Sequence, residues 1–181
     1  MKNNYLFTSE RLGFRNWKNE DLTEFAAINL DEVVMEYFPK LLSKTETADF
    51  IKKLKDCYIQ NGFTYYATEI LKTKEFIGFI GFGFQNYKSP FTPAIDIGWR
   101  LNKNVWGIGF ATEGAKKCLD VAFQKLNLIK IISVCTKNNL KSERVMQKIG
   151  MHKIGEFNHP MLKVYPNLER CVCYGIEKKP T

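Results

Sequence analysis

Two stretches of the chain combine residue types and spacings that suit a phosphate-bearing ligand. The first is Trp106-Gly107-Ile108-Gly109-Phe110-Ala111-Thr112-Glu113, between a β-like segment ending at Leu101 and a helical pattern opening near Gly109. Two glycines let the backbone come close to a ligand. The first-turn N–H groups of a helix lack intrahelical acceptors, and the helix dipole adds partial positive charge there. Together these predict a cradle for phosphate or pyrophosphate, with a plain tight turn as the alternative. No Gly-Lys-Ser/Thr follows, so the octet is not a nucleoside-triphosphate loop. Thr112 stands where a dinucleotide fingerprint requires Gly or Ala. The second stretch runs from Asn139 to Met151. Asn139 suits a helix cap and Ser142 falls on the first turn, which an ordinary capped helix also explains.

These segments need a scaffold, and the hydrophobic pattern supplies one. Leu12 and Phe14 alternate with polar neighbours as in a short strand, and Leu22, Phe25 and Ala26 have helical spacing. Ser43-x-x-Glu46 is a capping box ahead of an apolar face of Phe50, Ile51, Leu54, Cys57 and Tyr58, closed by Asn61-Gly62. Phe63–Ile70, Phe76–Phe84 and Ala94–Leu101 read as strands, with a turn at Leu71–Lys74 and breaks at Pro90 and Pro93. Beyond them come a helix from Gly109, a strand Ile129–Cys135, a helix Asn139–Ile149 stopped by Gly150, and strands near His152–Phe157 and Arg170–Ile176. The pattern predicts a mixed α/β (α+β) domain with one central sheet and about four helices.

The 181 residues, 45% of them hydrophobic, are read as one domain, 1–181, large enough to fold without staples. Lys+Arg 27 against Asp+Glu 19 gives a net charge of +8, which favours an anionic partner: nucleic acid, membrane headgroup or phosphate-bearing small molecule. The opening Met1–Phe7 lacks the apolar core of a signal peptide, and no run approaches the roughly 18 apolar residues of a span. The expectation is therefore a cytoplasmic protein. Cys57, Cys118, Cys135, Cys171 and Cys173 have no metal-ligand spacing and are read as buried, reduced and structural, with no metal site.

The glycine-rich helix entry, followed by a strand and then Asn-x-x-Ser on a helix, resembles the GNAT superfamily of N-acetyltransferases. The closer resemblance is to its ribosomal-protein-alanine/serine acetyltransferase-like branch (RimJ/RimL-type). Arg11-Leu-Gly-Phe-Arg15, Glu20-Asp21-Leu22, Glu36-Tyr37-Phe38-Pro39, Phe76-Ile77-Gly78, Ile97-Gly98-Trp99-Arg100-Leu101 and Phe157-Asn158-His159-Pro160 are similar to that branch too. The similarity covers about Thr8 to Ile176, and it rests on order and spacing rather than on one motif.

The resemblance implies a central, mostly antiparallel sheet in which two parallel strands, here Ala94–Leu101 and Ile129–Cys135, splay around acetyl-CoA. It assigns backbone groups of Trp99, Arg100 and Leu101 to the pantetheine arm. Gly107, Ile108, Gly109, Phe110, Ala111 and Thr112 take the pyrophosphate, and Asn139 and Ser142 the far wall. Asn104 stands where relatives carry Gln or Arg. The implied reaction is direct attack of an amine, a protein N-terminus or small-molecule amine, on the thioester in a ternary complex. A base must take the amine's proton. Asp96 is the first candidate, because it falls on the opposite strand face from Ile95 and Ile97. His159 is a second candidate on the acceptor side. Met146 replaces the tyrosine that relatives use to protonate the thiolate, which leaves Ser142 or water. The same departures suit an acyl-CoA-binding protein without catalysis. An RNA-binding module is the other rival, since Gly81-Phe82-Gly83-Phe84-Gln85-Asn86-Tyr87 looks like an RNP1 signature, though Ile80 and Gln85 do not fit it. With acetyl-CoA as co-substrate, neither nucleic acid nor membrane is needed as partner, and the expected state is monomer or homodimer.

Overall fold

The computed structural model describes residues 5–178; Met1–Asn4, where the stretch read for a signal peptide begins, lie outside it. The elements run β1 Phe7–Thr8, β2 Leu12–Arg15, α1 Asp21–Leu30, α2 Lys44–Asn61, β3 Tyr65–Ile70, β4 Phe76–Gln85, β5 Ala94–Leu101, α3 Phe110–Gln124, β6 Lys130–Thr136, α4 Leu140–Lys148, β7 His152–Asn158, α5 Pro166–Glu169 and β8 Arg170–Glu177. The eight strands form one sheet in the order β1-β2-β3-β4-β5-β6-β8-β7. Every neighbouring pair is antiparallel except β5 and β6. This is the sheet that the resemblance implies, with five helices among the described residues where about four were expected; α5 is a single turn between β7 and β8.

Local chemistry fixes most boundaries. Ser43 accepts from the Glu46 backbone and Glu46 accepts from Ser43, so the predicted capping box opens α2, and Gly62 closes it at φ 75°. The two faces of the sheet carry separate cores. On one, Leu12, Phe14, Ile80, Phe82 and Ile97 pack against Ala115, Cys118 and Leu119 of α3 and Met146 of α4. On the other, Phe76 and Phe79 meet Trp17, Phe25 of α1, and Ile51 and Leu54 of α2. A smaller cluster of Ile132, Phe157, Cys171 and Cys173 fills the β6–β8–β7 end. All five cysteines are free and four are buried; Cys57 is half-buried.

Phe82 lies in the core while Phe84 is 56% exposed, so Gly81–Tyr87 does not present the paired surface aromatics of an RNP1 strand. No described helix is long and apolar enough to cross a membrane.

A buried ion network ties β2, β3 and α1 together. Arg15 donates through both terminal nitrogens to Asp21, at 2.8 and 2.7 Å, and through Nε to Glu69, which also receives the Tyr5 hydroxyl at 2.6 Å. Removing one member strands a buried charge, a loss of about 3–5 kcal/mol for a buried pair. Asp21→Ala should therefore lower the unfolding free energy measured by urea titration by an amount in that range. A change below about 1 kcal/mol, the scale of an exposed pair, would show the network to be structurally neutral.

Candidate functional site

Strands β5 and β6 are paired in parallel register at Asp96 opposite Ile132. One step on, the Ser133 hydroxyl donates to the Ile97 carbonyl at 2.8 Å, supplying by side chain what a backbone rung would otherwise give. Past that point Gly98–Leu101 and Val134–Thr136 line opposite walls of a cleft of about 790 Å³. Thr136 Oγ1 is buried there with no partner among the described residues. Buried polar groups are nearly always paired, so this unpaired hydroxyl inside the cleft wall is an exception on β6.

The glycine-rich turn stands at the cleft mouth. Gly107 and Gly109 have φ of 81° and 91°, values only glycine adopts without strain, and a Cβ on Gly107 would point into open space. Gly109 caps α3 without any side-chain acceptor, so the first N–H groups of the helix are uncapped. Lys141, Arg144 and Lys148 of α4 line the facing wall, and Lys141 Nζ lies 4.8 Å from the Trp106 ring. Uncapped donors beside three cations suit a polyphosphate. Two other basic residues near the motifs are engaged elsewhere: Lys103 pairs with Asp31 at 2.6 Å and Lys137 with Glu156 at 3.2 Å.

The turn is bolted from behind. Glu113 accepts from Ser9 Oγ at 2.7 Å, Arg11 N at 2.8 Å and Arg11 Nε at 2.6 Å, while Arg11 Nη1 donates to the Ile108 carbonyl at 3.2 Å. Burial alone would raise the Glu113 carboxyl, but the hydrogen bonds from Ser9 and Arg11 hold it below its ordinary value. Ile108 itself is 55% exposed and does not line the cleft. Neither does Asn104, whose backbone N–H donates to Asn102.

Asp96 sits where the strands begin to part and lines the cleft. Its Oδ1 accepts from the Tyr65 hydroxyl at 2.6 Å and from Gly83 N at 3.1 Å. Burial pushes its carboxyl up to about 6, although those hydrogen bonds pull the other way. Gln85 Nε2 donates to the Tyr65 oxygen at 3.3 Å, and burial next to Asp96 keeps the phenol protonated well above its usual range. Tyr65 of β3 reaches Asp96 of β5 by crossing the strand between them, β4. A Cβ at Gly83 would stand 2.7 Å from its hydroxyl, and one at Gly98 3.1 Å from its ring.

Trp99, Arg100, Leu101, Gly107, Gly109, Phe110, Ala111, Thr112, Asn139 and Ser142 all line the same cleft as Asp96. The Asn139 side chain is committed to the helix, accepting from Ser142 N at 3.0 Å. Met146 is fully buried in the core, away from the cleft wall. His159 is not among the lining residues either. Its Nδ1 accepts from Met161 N at 3.2 Å, its ring packs 4.2 Å from Tyr87, and burial holds its imidazole below the ordinary value. Sequence reasoning missed Tyr65, the Arg11–Glu113 clamp and the roof built from the α1–α2 connection, including Val34 and Phe38. Gly83 and Gly98, on adjacent strands, were the available signal that a large side chain crosses there. Among the described residues, no group of three or more His, Cys, Asp or Glu could hold a metal ion.

The chain matches the family described as the Acetyltransferase (GNAT) domain over residues 11–152. It is 29% identical over 151 residues to the uncharacterized N-acetyltransferase YnaD of Bacillus subtilis, spanning 83% of this chain and 84% of the relative. Its fold superposes on a GNAT-family acetyltransferase from Bacillus anthracis with TM-score 0.78 and 26% identity, covering 96% of this chain and 98% of the other. The ribosomal-protein-S5-alanine acetyltransferase from Vibrio fischeri shares the fold with TM-score 0.75 at 20% identity, over 96% and 98% of the two chains.

A hydrogen bond to a carboxylate favours the charged form, so removing it raises the pKa. Tyr65→Phe should move the Asp96 titration from about 6 to a higher pH, followed by carboxyl-carbon NMR. An unchanged or lower midpoint would mean that the phenol does not hold the charge.

Proposed function

The chain belongs to the GNAT family of acetyltransferases, and from that premise we propose that it moves the acetyl group of acetyl-CoA to a primary amine by direct attack in a ternary complex. The observation that carries this reading is the parting of β5 and β6, with an uncapped helix N-terminus at the mouth and a half-buried carboxylate at the apex. When bound, acetyl-CoA supplies an activated thioester. The N–H groups of Gly107 to Thr112 would hold its pyrophosphate, with Lys141, Arg144 and Lys148 supplying positive potential. The freed backbone edge from Trp99 to Leu101 would take the amide-bearing arm, and Ser142 would touch the far wall.

Asp96 is assigned as the base. Free amines have pKa values of about 8–10 and are mostly protonated at neutral pH, so a group must remove the proton before attack. A carboxylate raised to about 6 is ionised at pH 7 and is a stronger base than an ordinary aspartate. The hydroxyl of Ser142, or water, returns a proton to the departing thiolate. Cys135 lines the cleft, but burial pushes its thiol up to about 12, so it is protonated and a poor nucleophile. That supports direct transfer over a covalent enzyme intermediate. Within the family we place the chain in the ribosomal-protein-alanine/serine branch, on the motif order along the sequence.

The test follows thiol release from acetyl-CoA with N-terminal peptides, aminoglycosides, polyamines and amino acids as acceptors, with Asp96→Asn in parallel. Loss of a general base lowers turnover by about 10²–10⁴-fold, and undiminished turnover in Asp96→Asn removes the base assignment. Stability gives an independent reading. Because the folded pKa lies above the unfolded one, the native state binds more protons in between, and stability falls as pH rises from about 4 through about 6. Asp96→Asn escapes that loss. It should melt above the parent at pH 8, with the gain fading below pH 4; a lower melting point at pH 8 would contradict a burial penalty on the Asp96 carboxylate.

A further inference from the structure

The sheet buries two arginines, and they are treated in opposite ways. Arg15 is 3% exposed and has two carboxylate partners, Asp21 and Glu69. Arg100 is 8% exposed, yet among the described residues it has no carboxylate partner. Its Nη1 donates to Asn29 Oδ1 at 2.7 Å, and its Nε is buried with no partner. The guanidinium lies against the rings of Phe38, Phe79 and Phe50, at 4.0, 5.5 and 5.7 Å. Ring faces attract a cation, but they do not accept its in-plane hydrogen bonds. A buried cation with an open donor edge is costly unless something negative meets it.

Its position says what that would be. Asp96, Gly98 and Arg100 alternate along β5 and share one face, opposite the Ile97 and Leu101 face that packs under α3. Gly98 leaves the face bare between the two charged residues, apart from the Tyr65 ring beside it. All of these, with the Val34 and Phe38 roof, line the cleft. Glu36 of the same roof is exposed rather than turned into a buried pair. The carboxylate proposed to unload the amine and the unmatched guanidinium therefore lie on one lane of the cleft. Three residues of strand lie between them, a backbone span of about 13 Å that the long arginine side chain partly bridges.

We infer that Arg100 reads a carboxylate on the acceptor, and that the acceptor is an amine that also carries an acid group, such as an amino acid or short peptide, rather than a polycation. This rests on the acyl-transfer reading above and narrows its acceptor class. The planar fork of arginine matches a carboxylate, and a polyamine or aminoglycoside would place further positive charge beside an uncompensated one. Burial without a counter-ion lowers the Arg100 pKa to about 10, which agrees with a site waiting for an anion.

The experiment pairs binding with turnover. N-acetylglycine, N-acetylalanine and N-acetylphenylalanine, each against its carboxamide, are titrated into the wild-type protein by calorimetry. The free amino acids and amino-acid amides are then compared as acetyl acceptors, with spermidine as the cationic control. The expected result is that at least one acid binds about tenfold or more tighter than its amide, and that the same preference appears in KM rather than kcat. Arg100→Met should erase the preference by weakening the acid alone, and Arg100→Lys should restore part of it. Equal binding of acids and amides by the wild type, or no binding of either, overturns the assignment, as does turnover confined to spermidine. If Arg100→Met does not fold, the wild-type comparison and Arg100→Lys still decide. A carboxylate preference in binding without acetyl transfer to any amine would keep the subsite and refute the acyl-transfer reading.

Discussion

Parallel strands β5 and β6 hold together at Asp96 and Ile132 and then let go of each other. Backbone N–H and C=O groups in the middle of a sheet must be paired, so a parting there needs compensation. The fold supplies part of it through the Ser133 hydroxyl on the Ile97 carbonyl. Beyond it, residues Gly98–Leu101 and Val134–Thr136 line the cleft instead of pairing with each other. The turn at Gly107–Gly109 and the uncapped start of α3 fall at the mouth because α3 begins directly after β5 and its short 3-10 turn. The Arg11–Glu113 clamp carries the turn on the first hairpin, so the far edge of the sheet helps to position the start of α3.

Charge is distributed with the same economy. The surplus of +8 is not a single basic patch. Lys103 and Lys137 are paired with acids, while Lys141, Arg144 and Lys148 look into the cleft from one helix. On the other face of β5 the pattern inverts: a half-buried carboxylate kept near a pKa of 6 and a buried guanidinium without a counter-ion share one lane. One strand thus brings an unpaired backbone edge and two ionisable side chains to the same cleft. Conformational specificity also enters here. Tyr65 crosses the sheet only because Gly83 and Gly98 lie beneath it.

Much of this was legible in the sequence because it is local. The capping box at Ser43 and Glu46, the glycine stop at Gly62, the limits of β5 and the glycine entry to α3 are written in residues a few positions apart. What escaped depends on contacts far apart in the chain. Tyr65 meets Asp96 across 31 positions, and Arg11 meets Glu113 across 102. Arg11 and Glu113 were both visible as motif residues, but nothing in either motif says that they bond to each other. His159 lies outside the cleft lining for a related reason. A lone histidine before proline suggested the acceptor side, yet its ring is used to cap a 3-10 turn and to pack on Tyr87.

The central claim is that the parted strands and the glycine turn form a coenzyme A site, and one titration addresses it directly. CoA is titrated calorimetrically into the wild-type protein and into Gly107→Val, with thermal melting confirming that the variant is folded. A Cβ at Gly107 meets no protein atom within 4 Å, so the new side chain enters open space at the turn rather than the core, at a φ of 81° that valine does not tolerate well. The expected result is binding by the wild type and a loss of about tenfold or more in the variant. No binding by the wild type, or equal affinity in a folded Gly107→Val, would contradict it.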